Sequence, residues 1–200
     1  RRSSDLNEPL LDQPMGFNVW RAPTDNDRKL KADWYAAHYD HAATNAYHTE
    51  YTVTASGVTL HTHVGIAAIC VQKFLDLDVT WTVANNGSVD LALHAQRNTV
   101  FPELPRFGLR LFLPQEMSQV NYYGMGPMEC YRDKHHAASH SSYTATVWQL
   151  HEDYIRPQEN GSHFDCDYVM LAGDAVRLTA VGTQPFSFNA SHYTQEELTR

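Results

Sequence analysis

Leu75-Asp76-Leu77-Asp78-Val79-Thr80-Trp81-Thr82-Val83 alternates without a break. Successive side chains of an extended chain point to opposite sides, so Leu75, Leu77, Val79, Trp81 and Val83 share one face and Asp76, Asp78, Thr80 and Thr82 the other. One apolar and one polar face is the signature of an antiparallel strand half open to water. Asn85-Asn86-Gly87-Ser88 follows, with Gly87 able to take a positive φ, and Leu91, Leu93 and Ala95 resume the alternation, which predicts a β-hairpin. The same pattern continues outward. Tyr51, Val53 and Ala55 turn at Ser56-Gly57 into Val58 and Leu60, and Phe107, Leu109, Leu111 and Leu113 alternate in a stretch punctuated by Pro102, Pro105 and Pro114. Tyr168 to Leu171, Val176 to Val181 and Phe186 to Phe188 read as short strands separated by Gly173-Asp174 and by Thr183-Gln184-Pro185. Helical signals are confined to about Leu30 to His38 and to Thr194, where Thr-Gln-Glu-Glu forms a capping-box pattern ending at Glu197. The expectation is an all-β chain, a large antiparallel sandwich with one or two short helices. Residues 1–16 read as a linker-like lead and residues 17–200 as the domain, with no internal repeat.

Charge and composition narrow the function classes. Fifteen Lys and Arg stand against 23 Asp and Glu, a formal charge of −8, the wrong sign for a chain that neutralises nucleic-acid phosphates or anionic lipid. No apolar run approaches the roughly 20 residues of a membrane span. Cys70, Cys130 and Cys166 are odd in number and far apart, which argues against a disulfide framework or a thiolate zinc site and predicts a reducing, cytoplasmic setting. Cys70, inside the apolar Ile66-Ala67-Ala68-Ile69-Cys70-Val71, is expected in the core. The opening RRSSDLNEPLLDQPMG lacks the apolar region of a signal peptide, and both ends read as cuts in a longer protein.

Twelve histidines call for a metal check. His61 and His63 are two apart on an expected strand, and His136 and His140 have helical spacing, but no HExxH accompanies them and a polar sheet face meeting solvent explains His61 and His63 as well. The sequence therefore predicts no metal site in this chain. GxSxG, GxGxxG and GKS/T motifs are absent as well. Glu129 and Glu159 remain a pair that a β fold could bring within glycosidase distance. Three loop-like clusters mix aromatics, acids, amides and Gly or Pro: WRAPTDND (Trp20 to Asp27), YYGMGPMECYRD (Tyr122 to Asp133) and YIRPQENG (Tyr154 to Gly161). Such residues suit turns, and they equally suit a face turned toward a sugar or another domain, since aromatic rings stack on pyranose C–H edges and acids and amides bind hydroxyls.

In the order WRAPTDND, LPRFGLRL (Leu104 to Leu111), YYGMGPMECYRD, YIRPQENG and FSFNASHYT (Phe186 to Thr194), the chain resembles the small-chain, C-terminal domain of family 2 β-galactosidases, from about Phe17 onward. The resemblance implies a supersandwich similar to galactose mutarotase, inside an enzyme that hydrolyses terminal β-D-galactosides with retention. It also implies that both catalytic glutamates, together with bound Mg and Na, lie on a TIM-barrel portion outside this chain, and that this chain carries no catalytic residue and no cofactor. A later Gly- and Trp-containing stretch of the family domain, which contributes to the sugar site, is expected beyond Arg200. Carried onto matched positions, the resemblance assigns Trp20, Arg21, Asp25, Asn26, Asp27, Tyr123, Glu129, Tyr131, Gln158, Glu159 and Asn160 to a carbohydrate-facing or domain-facing surface. Cys130 departs from the family's usual Asn or Ser, and His163 from its common Arg. The implied partners are the barrel, in the same chain or a large subunit, and a galactoside, within an oligomeric enzyme. Arg21→Ala and Asp25→Ala are then expected to lower the activity of the complete enzyme. Two other readings keep the fold: an independent carbohydrate-binding module, and a mutarotase-like domain in which a His and a carboxylate interconvert anomers.

Overall fold

The computed structural model describes residues 10–200, so most of the expected lead lies outside the described residues. The strands are β1 Gln13–Asn18, β2 Ala43–Thr54, β3 Gly57–Ala67, β4 Leu75–Ala84, β5 Val89–Arg97, β6 Gly108–Phe112, β7 Gln119–Gly126, β8 Ser139–Thr146, β9 Ser162–Ala172 and β10 Arg177–Asn189; the helices are α1 Lys31–Ala36 and α2 Gln195–Leu198. The chain is mostly β, with antiparallel pairing throughout the two large sheets and two short α-helices. By backbone contacts it divides into two units. The first holds Gly16–Arg21 and Asp25–Arg110; the second holds Ala22–Thr24 and Leu111–Arg200, together with residues 10–15.

The first unit is built on the meander β2-β3-β4-β5. Its central strand is the alternating segment read above. Leu75, Leu77 and Val79 are buried with Val64, Ile66 and Phe74 under Val19, Trp20, Trp34, Ala37 and Tyr39. The β4–β5 hairpin closes as expected, with the Gly87 N–H donating to the Ala84 carbonyl at 3.0 Å and Gly87 at φ +89°. Two aromatic residues anchor the helical segment by their polar ends: the Trp34 indole N–H donates to the Glu103 carbonyl at 3.1 Å and the Tyr39 hydroxyl to the Pro102 carbonyl at 2.7 Å. Cys70 is exposed, not buried as the apolar run suggests. Strand β3 must reverse to pair with β4, and the reversal falls inside that run, placing Cys70 at φ +64° in the turn and Ile69 in solvent.

The second unit is the sheet β10-β9-β7-β8. Its core gathers Val120, Tyr122, Cys166, Val169 and Phe188 with Val147 and Leu150. Three expectations change here. Tyr122 to Gly126, read as loop, belongs to β7, because its glycines serve close packing: a Cβ on Gly124 would sit 2.8 Å from the Cys166 Cα on neighbouring β9. Thr183-Gln184-Pro185 does not separate two strands. It lies within β10 as a register irregularity between Val181 and Phe186, and the sheet tolerates a proline there because β10 is an edge strand. His136 and His140 share no helix; His140 belongs to β8, a Ser- and Thr-rich edge strand with almost no apolar alternation.

Candidate functional site

The second and third motif clusters meet at Glu129. Its carboxylate is buried and accepts from four donors: the Lys134 ammonium at 2.7 Å and the Tyr154 hydroxyl on Oε1, the Tyr131 hydroxyl at 3.1 Å and the Gly161 N–H at 3.0 Å on Oε2. Gly161 reaches it because φ is +70° and because a Cβ there would run into the Leu150 carbonyl, so only glycine turns this N–H inward. Neighbouring backbone locks the same corner. The Cys130 N–H donates to the Ser162 carbonyl at 2.8 Å, the Glu152 N–H to Asn160 Oδ1 at 3.2 Å, Asn160 Nδ2 to the Gln158 carbonyl at 3.0 Å, and Asn189 Nδ2 to the Asn160 carbonyl. The Glu159 side chain is buried while its N–H donates to the Ala22 carbonyl at 3.1 Å.

Burial by itself would raise the Glu129 pKa, but the Lys134 charge and the hydrogen bonds from Tyr154 and Gly161 together hold it below the usual carboxylate value. In return, the bond to Glu129 raises Lys134 and Tyr154, and Tyr131 is raised by its own burial and by the Glu129 and Glu159 charges. The carboxylate is thus an anion with all its acceptor sites occupied, a tie between two loops and not a proton donor. A cleft of about 300 Å³ opens beside it, lined by Met128, Glu129, Lys134, Glu152, Asp153 and Tyr154.

Close by, His163 is fully buried between Tyr122 and Phe188, ring centroids 4.6 and 5.1 Å away. Its Nδ1 lies 3.3 Å from the Met125 carbonyl and 3.1 Å from the Tyr122 hydroxyl, and the carbonyl fixes the proton on Nδ1. Burial depresses the His163 pKa, with the Met125 carbonyl and the Glu129 charge opposing it only in part. The folded chain then refuses a proton that the unfolded chain accepts, so the His163 contribution is whole above the ordinary value of 6.5 and declines as pH falls through it, by at most about 1.4 kcal/mol per pH unit. Glu129 acts lower on the scale: its contribution is present above the ordinary 4.5 and is lost as pH falls through its depressed folded value. Between pH 7 and 5 the melting temperature of the protein is expected to fall, and to fall less in His163→Phe. An identical decline in both proteins would refute the assignment.

The first motif cluster lies mainly in the first unit and makes its own site. Trp20 is buried, its ring 5.2 Å from that of Tyr35, and its backbone is pinned by Asn18, whose Oδ1 accepts from the Trp20 N–H at 3.1 Å. The Arg21 guanidinium pairs with buried Asp27 at 2.5 Å and stacks over the Trp34 ring at 5.4 Å. Asp25 and Asn26, by contrast, are exposed in the 3-10 turn Asp25–Lys29. Tyr123 also stands apart from Glu129: it alternates to the other side of β7 from Tyr122 and meets the His140 ring at 4.7 Å. Lys134 and Tyr154, absent from the expected set, complete the Glu129 cluster, and both follow or open a quoted motif. Among the described residues no group of three or more His, Cys, Asp or Glu side chains is arranged to hold a metal ion. His61 and His63 do share a face of β3, where they bond to Thr80 and Asp78 at 3.0 and 2.9 Å.

The family model of the beta galactosidase small chain matches residues 2–200. The chain is 42% identical to a beta-galactosidase of Actinobacillus pleuropneumoniae over 99% of its own length, 35% identical to one of Staphylococcus xylosus over 96%, and 31% identical to one of Vibrio cholerae serotype O1 over 96%. In each case it spans 19% of the relative.

Proposed function

Because the chain belongs to the beta galactosidase small chain family, we propose that it is a non-catalytic part of a β-galactosidase that hydrolyses terminal β-D-galactosides with retention, and that it scaffolds the sugar site of a neighbouring catalytic barrel. The observation that carries this reading is the state of Glu129. A glycosidase acid needs a raised pKa and a free oxygen facing the leaving group, and Glu129 has a lowered pKa and four donors on its two oxygens. Its chemistry is spent on fixing the loop after β7 to the segments around Tyr154 and Gly161, a rigid rim of the kind on which a domain-facing surface is built.

The two four-stranded antiparallel sheets, each with one apolar face, support the supersandwich similar to galactose mutarotase. Catalytic carboxylates and the Mg and Na sites belong to the barrel portion, in a cytoplasmic and oligomeric enzyme. The polar cleft beside Tyr154 and Lys134 favours a second reading, in which the chain itself holds a sugar. Hydrolysis of a chromogenic β-galactoside tests both. The 200-residue chain is expected to be silent alone and to yield activity on mixing with the separately expressed remainder. Turnover by the chain alone would overturn the division of labour, and saturable galactose binding without turnover would establish the second reading.

A further inference from the structure

The core of the first unit stops partway along its sheet. At one end of the apolar face Leu75, Leu77, Val64 and Ile66 are buried, whereas at the other two complete cross-strand rows carry only apolar side chains. One row is Tyr51, Leu60, Trp81 and Leu91, and the next is Val53, Val58, Val83 and Val89. None of the eight is buried: Tyr51 is 72% exposed, Val53 67% and Val89 53%. The opposite face of the same strands is mostly polar, with Glu50, His61 and Thr80 beside Ala92 in one row and Thr52, Thr59, Thr82 and Asp90 in the next. The two faces are therefore sorted as if both were meant to have a definite environment, and soluble chains rarely leave a contiguous apolar area of this kind to water.

We propose that these two rows are the seat of an apolar segment of the parent polypeptide outside residues 1–200, which completes the core of the first unit. The inference rests on the reading that the chain is part of a larger β-galactosidase. Two observations select this occupant. The chain accounts for 19% of the length of its relatives, so a large remainder is at hand. The rows also continue an existing core, since Trp81 and Leu91 already pack against its buried residues, and what extends a core is another apolar surface. A charged occupant is disfavoured because a charge desolvated against Trp81 and Val83 would find no counter-charge in either row.

Hydroxyl-radical oxidation of the full-length enzyme, native and unfolded, reads the burial of Tyr51 and Trp81 directly. A covered Tyr51 is expected to oxidise about tenfold more slowly in the native enzyme, whereas a Tyr51 as exposed as it is here would oxidise at nearly the unfolded rate and overturn the proposal. A photoreactive phenylalanine analogue at position 51, or at position 89 if the first variant does not assemble, identifies the cover. Crosslinks to peptides outside residues 1–200 are the expected result. Crosslinks only to residues 1–200 of another subunit would make the face a contact between copies and would also overturn it. Galactoside hydrolysis is scored separately: an inactive enzyme with protected Tyr51 fails the functional reading alone, and an active enzyme with unprotected Tyr51 fails this one alone.

Discussion

In the full-length enzyme, Glu129→Ala is expected to speed the hydrogen exchange of β7 and β9 amides about a hundredfold, the signature of roughly 3 kcal/mol of lost local stability. The size follows from what the substitution strands. Lys134, Tyr131, Tyr154 and the Gly161 N–H all give their hydrogen bonds to this one carboxylate, and the Gly161 donor has no solvent to turn to. Lys134→Met is expected to cost at most about 1 kcal/mol, because 62% of the Lys134 side chain already meets water and a screened partner contributes little. Activity divides the scaffold reading from a catalytic one. If Glu129 only holds the rim, galactoside turnover falls with the loss of folded structure. A thousandfold loss of turnover with unchanged exchange would make Glu129 a reacting group and refute the proposed division of labour.

Alternation made most of the first unit legible, because its sheet has one apolar and one polar face and each strand therefore writes its period into the sequence. Leu75 to Val83, the Asn85 to Ser88 turn and the β2–β3 hairpin all lie where the pattern puts them. The second unit hides its strands for separate physical reasons. Strand β8 is a polar edge, SHSSYTAT, with little apolar signal to read. In β7 the glycines that suggested a turn are there because Cys166 and Tyr122 crowd them. Cys70 shows the opposite error, an apolar run that looks like core but contains a chain reversal. Local chemistry was readable where the whole device is contiguous: the Thr194 and Glu197 capping box forms as written, and Thr146 with Gln149 repeats it. At the candidate site the motifs named Glu129, Tyr131 and Asn160, but the distance that matters is between Glu129 and Tyr154, 25 residues apart, and no spacing rule encodes it.

Within the first motif the structure separates two acids that the sequence treats alike. Arg21→Ala removes the ion pair to buried Asp27 and the cation over Trp34, and is expected to cost about 3 kcal/mol locally, read as faster exchange in α1 and at Leu75 to Val79. Arg21→Lys should restore little, since an ammonium supplies neither the planar fork for the carboxylate nor the stacking surface for the indole. Adding Asp27→Asn to Arg21→Ala should recover part of the loss by removing a buried charge that the guanidinium no longer offsets, so the two substitutions will be less than additive. Asp25→Ala, on an exposed side chain, is expected to stay within about 0.5 kcal/mol. Activity of the complete enzyme should follow the same order if this cluster works by holding the Trp20 to Asp27 loop in shape. Should Asp25→Ala abolish activity while exchange stays normal, Asp25 would have to touch substrate or the neighbouring domain itself, and the Arg21–Asp27 pair would be its support and not the origin of the effect.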